Sequence, residues 1–343
     1  MTKRILIIGG TRNMGYYLSR RVHADGYDLT LLNRGLTKDD LPRGIHRLHA
    51  DRSNHKQMRR ALLAKRFDIV VDFVLYSGDQ AQTAIDLFGD HVERYIAISS
   101  GQVYLVREGL DRPFYEDDYA GRLMPAPKAH SYAWEEWRYG MQKREVEDRL
   151  AEAWRQKRFP HTILRLPMVN SVRDPYSRLL NYYLRLRDGG PILVPLTPDY
   201  ALNQVYALDV IEAIMRLIET DAGLGAAFNI AQDEHISHAD FVSLLAEVMG
   251  AKACCVYAKR SDLVANGFLP DCSTFSEHWM SALDNSRAKT ELGIRYTPLR
   301  EYLAKLVDCF DSLPLTPPLT YRRRHAELQF AAELAGQAQT GAC

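Results

Sequence analysis

The stretch RILIIGGTRNMG, residues 4–15, joins a short apolar run to the start of an amphipathic segment. A glycine-rich turn between a strand and a helix is typical of a dinucleotide-binding site, because backbone N–H groups there approach a pyrophosphate closely. Gly9 and Gly15 occupy the first and last glycine positions of such a turn, whereas the middle position is Arg12. The stretch therefore predicts a first strand followed by a phosphate-binding turn that carries an extra positive charge.

The segments that follow repeat this alternation of strand-like and helix-like patterns up to about residue 165. Amphipathic stretches separate short runs rich in Ile, Val and Leu, which are RILIIG, DLTLLN, IHRLHA, FDIVVDFV, RYIAISS and HTILRL. The runs show no clean polar and apolar alternation, which indicates strands covered on both faces. The pattern predicts an α/β fold: a Rossmann-type doubly wound parallel sheet with a smaller discontinuous C-terminal substrate-binding lobe.

The domain boundaries follow from where this alternation loosens and where it returns. We predict a dinucleotide-binding domain over 1–166, joined by about 202–230, and a substrate-binding lobe over 167–201 and 231–320. A C-terminal helix and a polar tail are expected over 321–343. Within the lobe, Ser237 and Asp240 form a capping pattern that predicts the start of a helix.

Composition limits the classes of partner. The formal charge of the 343 residues is +1, with 46% hydrophobic residues, so no basic field is available for nucleic acid. The five cysteines have no metal-like spacing, and we predict no metal site. No apolar run approaches the roughly 18 residues of a membrane span. We expect a cytoplasmic protein whose partner is a small molecule rather than a nucleic acid or a membrane.

The end of the second strand bears on the choice of cofactor. An NAD-binding domain usually has an acidic residue there for the ribose 2′-hydroxyl, whereas an arginine accommodates the 2′-phosphate of NADP. The sequence has Asn33, Arg34 and Gly35. Arg12 and Arg34 are predicted to converge on one phosphate, which favours NADP over NAD; the alternative is that both are solvated. Asp51 is placed to meet the adenine edge or, alternatively, to cap the helix that follows.

A candidate catalytic set lies at the end of the fifth strand and about forty residues beyond it. Tyr139 and Lys143 are four residues apart, so they share one face of a helix. A neighbouring ammonium favours phenolate and lowers the pKa of a tyrosine from about 10, which permits proton exchange with an alcohol near neutral pH. Ser100, with Ser99 as the alternative, can hold the substrate oxygen.

At these residues the chain resembles an extended or atypical short-chain dehydrogenase/reductase of the NAD-dependent epimerase/dehydratase family. The resemblance covers roughly residues 3–310. It is carried by GGTRNMG, by Ser100 followed by Val103 and Tyr104, and by Tyr139 with Lys143. The segments LNQVYALDVIEAI, AAFNIA and LDNSRAKTELGI follow in the family's order.

The resemblance implies a Ser-Tyr-Lys catalytic set in which Tyr139 is the acid/base, Lys143 binds the nicotinamide ribose and Ser100 orients the reacting oxygen. The cofactor contacts that it implies are Gly9, Thr11, Arg12, Asn13, Met14, Gly15, Asn33, Arg34, Asp51, Phe73, Ser99, Lys143 and Pro167. The substrate contacts that it implies are Gln102, Met168 and Asn170. It also implies a homodimer through the helix that carries Tyr139, although the apolar stripe of that helix can equally face the sheet.

Departures from the family pattern bear on which reaction and which substrate class the sequence predicts. Dehydratases carry an acidic pair after the strand-end hydroxyl residue, where this chain has Gly101 and Gln102. Members that bind a nucleotide diphosphate place an Asn at the position of Met168 and arginines near the positions of Leu202 and Glu277. A pyrophosphate without a cationic clamp is poorly held. Four arginines of the lobe can substitute or else be solvated: Arg173, Arg178, Arg185 and Arg187.

The prediction is therefore an NAD(P)-dependent oxidoreductase that transfers hydride at a secondary alcohol or ketone of a sugar-like or nucleotide-sugar substrate. Net ketoreduction with NADP is favoured. A nucleotide-sugar epimerase that retains NAD is the first alternative. The second is an RNA-binding or regulatory relative without catalysis, because the GGTR spelling also resembles chloroplast stem-loop RNA-binding proteins of the same superfamily.

Overall fold

The computed structural model describes residues 2–89, 91–197 and 200–340. The chain divides into two compact units. The first comprises Met1–Pro167, Val205–Ala231 and Leu283–Tyr296, and the second comprises Met168–Gln204, Gln232–Ala282 and Thr297–Cys343. The first unit holds the turn at residues 9–15 and the candidate catalytic set.

Within the described residues the strands are β1 Arg4–Ile8, β2 Asp28–Asn33, β3 His46–His49, β4 Ile69–Asp72, β5 Arg94–Ser100, β6 His161–Leu166, β7 Met168–Asn170, β8 Ile192–Pro195, β9 Gln204–Tyr206, β10 Ala226–Asn229 and β11 Cys255–Ala258. The α-helices are α1 Asn13–Ala24, α2 His55–Leu62, α3 Gly78–Phe88, α4 Gln102–Leu105, α5 Tyr132–Lys157, α6 Arg178–Arg187, α7 Ala207–Glu219, α8 His238–Val248, α9 Arg260–Ala265, α10 Ser286–Leu292, α11 Leu299–Ser312 and α12 Arg324–Thr340.

The first unit is built on a seven-stranded parallel sheet in the order β10-β6-β5-β4-β1-β2-β3. The strand order reverses between β1 and β4, and in such sheets ligands bind outside the carboxyl ends of the strands at this point. Helices α3 and α5 pack against each other, as do α1 and α7. The predicted fold class is confirmed.

The six predicted strands of the first 166 residues all form. In β1, the side chains from Ile5 to Ile8 have no exposed area, and β4 and β6 are buried along their whole length. Burial on both faces explains why the runs are continuously apolar rather than alternating. Helix α5 also buries one side, and it contacts β5 and β6. The buried side of α5 therefore packs on the sheet.

The second unit contains the parallel pair β8 and β11. Helix α8 begins at the predicted cap, where the Ser237 hydroxyl accepts the Asp240 N–H, because a capping side chain satisfies a free amide of the first turn. Buried Arg185 pairs with Glu327 of α12, so Arg185 is neither a solvated residue nor an exposed substitute for the missing clamp. The predicted C-terminal helix forms as α12. Residues 341–343 of the predicted tail lie outside the described residues.

The described residues also bear on membrane spans and metal sites. No helix there combines the length and the apolar character that a membrane span requires. Across the same residues, no group of three or more His, Cys, Asp or Glu side chains is arranged to hold a metal ion.

Candidate active site

The predicted cofactor residues of the first unit follow the carboxyl ends of adjacent parallel strands. The turn at residues 9–15 follows β1, Arg34 follows β2, and Asp51 lies just beyond β3. Phe73 follows β4, and Pro167 follows β6. One edge of one sheet thus brings together residues that are up to about 160 positions apart in the chain.

The turn after β1 is shaped by two glycines. Gly9 has a φ of +88°, which a residue with a side chain rarely adopts. A Cβ at Gly15 would lie 2.4 Å from the Gly9 carbonyl oxygen, so the first turn of α1 passes directly over the end of β1. The buried Ser19 hydroxyl donates to the Gly10 carbonyl at 2.9 Å. This compact turn at a helix N-terminus fits a pyrophosphate.

The other residues of the turn lie just before α1 or in its first turn. Arg12 is the exposed N-cap residue of α1 and makes no side-chain capping bond there. Asn13 begins the helix with a φ of +42°. Thr11 and Met14 are half-buried. The Arg12 guanidinium is therefore on the surface beside the helix N-terminus, where it is open to an anion.

Arg34 and Asp51 lie near each other beyond β2 and β3. Arg34 is exposed, and Asp51 accepts hydrogen bonds from the Ser53 N–H at 2.9 Å and from the Ser53 hydroxyl at 2.6 Å. The Ser53 hydroxyl chiefly lowers the pKa of Asp51, and the charge of Arg34 adds to this effect. The N-cap of α2 is Asn54, so the alternative role for Asp51 as that cap is wrong.

Three further predicted cofactor residues occupy strand ends. The Asn33 side-chain oxygen accepts the Gly35 N–H at 2.8 Å, which shapes the turn that presents Arg34. Phe73 is half-buried, and its Cβ lies 3.4 Å from the position that a Cβ would take at Gly9. Pro167 is buried at the end of β6. These three residues shape the edge of the sheet, and their contacts to a cofactor stay predictions.

Lys143 lies under this edge. Its side chain is 2% exposed, and its ammonium donates to the carbonyls of Leu75 and Ile98 at 2.8 Å each. The ammonium lies 5.9 Å from the ring centre of Tyr139 and 5.0 Å from that of Tyr76. Burial lowers the pKa of Lys143 to about 8, and the charges of Asp72 and Glu147 oppose that shift. The ammonium is thus held between the ends of β4 and β5.

Tyr139 is half-buried on α5, and Ser100 is the last residue of β5. Gly140 allows α5 to approach this strand end, because a Cβ there would lie 2.8 Å from the Gln102 carbonyl oxygen. The Ser100 hydroxyl accepts the Gln102 N–H at 3.2 Å. The close approach at Gly140 places the helix that carries Tyr139 and Lys143 against the start of α4, two residues after Ser100.

Gln102 itself is buried, with 5% of its surface exposed. Its side-chain Nε2 donates to Glu136 Oε2 at 2.7 Å. The position at which dehydratases of the resembled family carry an acid therefore holds an amide that contacts a carboxylate from α5. Sequence reasoning did not include Glu136, although its spacing of three residues from Tyr139 on a helix was a usable signal.

Ser99 participates in a buried polar network of the first unit. Its hydroxyl donates to Glu147 at 2.5 Å, and Arg165 donates to the same carboxylate through Nε and Nη2. Arg165 also donates to the Tyr104 hydroxyl at 2.6 Å, which donates in turn to Asn229 at 2.8 Å. The Ser99 hydroxyl is thus used inside the unit, and its predicted contact with a cofactor stays a prediction.

A second buried group lies at the end of β4. Asp72 accepts hydrogen bonds from Arg52 Nε at 2.8 Å and from the Tyr95 hydroxyl at 2.7 Å. Arg52 directly follows Asp51, so this ion pair anchors the predicted adenine-binding segment to β4. Sequence reasoning missed both ion pairs, because the pattern of apolar runs does not identify which charged residues point inward.

The predicted substrate residues Met168 and Asn170 belong to the second unit. Met168 is half-buried at the start of β7. Asn170 is 1% exposed, and its amide donates to Gln204 and, at 3.2 Å, to the Tyr302 hydroxyl. The Asn170 amide is therefore held inside its own unit, and its contact with a substrate stays a prediction.

The two positions of the missing clamp also lie in the second unit. Leu202 is buried, and Glu277 forms an ion pair with Arg260. Burial raises the pKa of Glu277, an effect that the charge of Arg260 opposes. Neither position supplies a cation for a pyrophosphate.

Several known proteins resemble this chain in sequence. Residues 5–231 match the NAD dependent epimerase/dehydratase family. A chloroplast stem-loop binding protein of 41 kDa from Arabidopsis thaliana is 26% identical over 248 residues, which cover 68% of this chain and 60% of that protein. The 2′-dehydrokanamycin reductase of Streptomyces kanamyceticus is 23% identical over 235 residues, which cover 67% of this chain and 62% of that protein. The chain thus spans about 60% of the length of these two relatives.

Solved structures share the fold. A UDP-glucose 4-epimerase of Thermotoga maritima, solved with UDP-glucose, superposes with a TM-score of 0.69 at 20% identity, over 90% of this chain and 98% of that one. At this identity the likeness concerns the fold alone. The family match extends over about two thirds of the sequence and includes the turn after β1, Ser100, Tyr139 and Lys143. The chain belongs to the NAD dependent epimerase/dehydratase family.

Proposed function

We propose that this chain is an NADP(H)-dependent oxidoreductase that reduces a ketone on a sugar-like ring to a secondary alcohol. One observation carries the proposal. The Lys143 ammonium is held 5.9 Å from the centre of the Tyr139 ring, and α5 packs closely on the start of α4, which follows Ser100. A phenol beside a fixed cation and near a strand-end hydroxyl is equipped to exchange a proton with an oxygen of the substrate.

The chemical roles follow from the types of side chain. A nicotinamide cofactor would be held by the turn at residues 9–15 and by Lys143, and it would supply hydride to the carbonyl carbon of the substrate. The Tyr139 hydroxyl gives its proton to the carbonyl oxygen, and the electron pair of the C=O π bond forms the new O–H bond. The neighbouring ammonium stabilises the phenolate that remains. The Ser100 hydroxyl donates a hydrogen bond to the same oxygen. Solvent then returns a proton to Tyr139.

The preference for NADP rests on charge at the carboxyl edge of the sheet. Arg12 and Arg34 are both exposed, one at the N-terminus of α1 and the other after β2. The Asn33-Arg34-Gly35 segment carries no carboxylate for a ribose 2′-hydroxyl. A 2′-phosphate placed there gains charge-assisted hydrogen bonds from guanidinium groups, which are about twice as strong as neutral ones.

The ring class of the substrate and the direction of reaction rest on two supports. One curated relative is named as a reductase of 2′-dehydrokanamycin, which favours reduction over epimerisation. The acid pair of dehydratases is replaced by Gly101 and Gln102, which removes an acid and a base for elimination of water. An epimerase with retained NAD is the alternative within the same family. We also propose that the enzyme acts as a homodimer in the cytoplasm.

The decisive experiment determines whether the purified protein retains a nucleotide and which of NADPH and NADH it binds more tightly. The purified protein is denatured and its supernatant analysed for nucleotide, and the native protein is titrated with NADPH and NADH by fluorescence. Absence of retained nucleotide, tighter binding of NADPH and NADPH oxidation with a panel of keto-glycosides support the reductase. Retained NAD, with interconversion of epimeric sugars and no net oxidation, replaces it with the epimerase.

A second candidate function is stem-loop binding without catalysis. The 26% identity to the chloroplast stem-loop binding protein favours it. The formal charge of +1 opposes it, because nucleic-acid affinity depends on cationic side chains that neutralise phosphates. A gel-shift titration with a stem-loop RNA at 50 and 200 mM salt separates the two functions. A salt-dependent shift without any ketone turnover establishes the second.

A further inference from the structure

A cavity of the second unit lies where three helices end. Its volume is about 270 Å³. Helix α6 ends at Arg187, α8 ends at Val248, and α11 ends at Ser312. The lining comes from the C-terminal halves of α6 and α11 and from the residues that follow α8, and it includes Tyr183, Leu186, Arg187, Met249, Val307 and Asp311. Among the described residues that line the cavity, none belongs to the predicted catalytic or cofactor set.

Two opposite charges border this cavity and share one hydroxyl. Tyr183 is 1% exposed, and its hydroxyl donates to the Asp311 carboxylate. Arg187 Nη1 donates to the same hydroxyl oxygen at 3.4 Å, which is a long and therefore weak hydrogen bond. Because one oxygen bonds to both groups, Arg187 Nη1 and Asp311 Oδ1 are no more than about 6 Å apart.

Both charged groups keep capacity for a ligand. Across the part of the chain that the structure describes, neither Arg187 nor Asp311 takes part in an ion pair, and the Tyr183 hydroxyl is the hydrogen-bond partner of each side chain. Both residues are exposed. A guanidinium has five N–H donors and an ionised carboxylate has about four acceptor sites, so most of these remain available.

The helix ends favour a cation beside Asp311. A helix C-terminus carries a partial negative charge, and a cation close to it is stabilising. Neither α8 nor α11 has a basic residue in its last turn, and Asp311 adds a full negative charge at the end of α11. A ligand ammonium at this place is attracted both by the carboxylate and by the two helix ends.

The rest of the lining is mostly apolar. Leu186 and Val307 are 3% and 5% exposed, and Met249 is half-buried. A volume of about 270 Å³ lies below the roughly 300–1,000 Å³ that is typical of sites for drug-sized ligands, so the cavity suits a smaller molecule. A small ligand with an ammonium, a carboxylate and an apolar group matches all three parts of the lining.

We propose that this cavity binds a small zwitterion with an apolar side chain, of the α-amino acid class. Arg187 holds the carboxylate of the ligand, and Asp311 holds its ammonium. The apolar group of the ligand contacts Leu186, Met249 and Val307. The inference goes beyond the proposed function, because it concerns a second ligand and requires no turnover.

Calorimetric titration at pH 7 with four probes tests the site. L-Leucine carries all three recognised groups. Each of the other probes lacks one of them: 3-methylbutan-1-amine has no carboxylate, 4-methylpentanoate has no ammonium, and glycine has no apolar side chain. We expect L-leucine to bind at least tenfold more tightly than each of the other three, because hydrogen bonds between charged groups are the stronger ones and the apolar wall adds buried area.

Two variants assign the charges. In Arg187→Gln the advantage of L-leucine over 3-methylbutan-1-amine falls below threefold, and in Asp311→Asn its advantage over 4-methylpentanoate does the same. Glu301→Gln is the matched control. It changes an exposed carboxylate of α11 that pairs with Lys305, about 15 Å from Asp311 along the helix, and it keeps the wild-type preferences. Circular dichroism checks that each variant is folded.

Several outcomes overturn the inference. They are failure of the wild type to bind L-leucine, equal binding of the four probes, and a preference that stays at the wild-type level in either Arg187→Gln or Asp311→Asn. The proposed reaction is judged separately, because these titrations contain neither NADPH nor a ketone.

Discussion

The ammonium of Lys143 lies 5.9 Å from the ring centre of Tyr139, one turn earlier on the same helix. Two of its three N–H groups are committed to the backbone carbonyls of Leu75 and Ile98. Within residues 2–89, 91–197 and 200–340 the third N–H group is left for a ligand, and the other two hydrogen bonds set its direction. The sheet therefore orients the lysine before any cofactor binds.

Replacement of Tyr139 tests the proton transfer. Tyr139→Phe is expected to lower kcat by about 10²–10⁴, because general acid–base catalysis contributes that much, while the cofactor dissociation constant stays within twofold. The measurement is steady-state turnover together with a fluorescence titration of cofactor. Tyr132→Phe, at the exposed start of the same helix, is the matched control and keeps wild-type turnover. Turnover above a tenth of wild type in Tyr139→Phe refutes the role.

The buried ammonium of Lys143 predicts that the free energy of unfolding rises with pH in the alkaline range. Burial lowers its pKa from 10.5 to about 8, so between these values the unfolded state binds more protons than the native state. Stability therefore rises with pH through this window, and the destabilisation caused by the buried, charged ammonium is fully present below pH 8. The difference amounts to about 3 kcal/mol at 1.36 kcal/mol per unit. Urea denaturation from pH 7 to 11 measures it.

The comparison that isolates Lys143 uses Lys143→Met. Every other titratable group is present in both proteins. The free energy of unfolding of the wild type minus that of the variant is therefore expected to increase between pH 8 and 10.5. Parallel curves over this range would contradict the assignment. The variant also leaves two buried carbonyls unsatisfied, which lowers its stability at every pH without changing the slope.

A change at Gly15 tests the turn. Gly15→Ala places a Cβ 2.4 Å from the Gly9 carbonyl oxygen, a backbone atom that cannot move aside cheaply. We expect cofactor affinity to fall at least tenfold, as measured by fluorescence titration. Gly336→Ala in α12 is the control, because the described residues beyond the adjacent helix backbone leave open space around the new Cβ, and it leaves affinity unchanged. Normal affinity in Gly15→Ala shows that the turn is not the pyrophosphate site.

The two exposed arginines predict the choice between cofactors. Arg34→Ala and Arg12→Ala are each expected to weaken NADPH binding about tenfold, roughly the worth of one charge-assisted hydrogen bond, with little change for NADH. Dissociation constants for both nucleotides in each variant provide the measurement. Arg43→Ala, an exposed arginine elsewhere in the unit, serves as control. An equal loss for NADPH and NADH rejects the 2′-phosphate interpretation.

The ion pair between Arg165 and Glu147 predicts a large effect on stability. Their side chains are 5% and 3% exposed, and removal of one partner leaves an uncompensated buried charge. Glu147→Leu is expected to lower the free energy of unfolding by about 3–5 kcal/mol, and Glu147→Leu with Arg165→Met to recover much of that loss. Glu247→Gln, in an exposed pair with Arg300, changes stability by less than about 1 kcal/mol. Chemical denaturation separates these outcomes.

Local patterns were sufficient to predict the sheet. Continuous apolar runs such as those of β1 and β4 can be accommodated only where both faces are covered, so composition and spacing predict parallel strands between helices. The turn from Gly9 to Gly15 and the helical spacing of Tyr139 and Lys143 are likewise short-range features, readable within a few residues.

The tertiary structure decided which polar groups lie inside. Glu136, Glu147, Arg52 and Arg165 are ordinary charged residues in the sequence, and their partners come from other elements of the fold. The direction of the Lys143 ammonium also depends on carbonyls about 45 and 68 positions away. Hydrophobic periodicity is a property of one segment, whereas hydrogen bonds and ion pairs depend on distances between segments. The sequence by itself therefore determined the scaffold and the types of the candidate catalytic residues, and only the folded chain determined how these residues are oriented and which charges surround them.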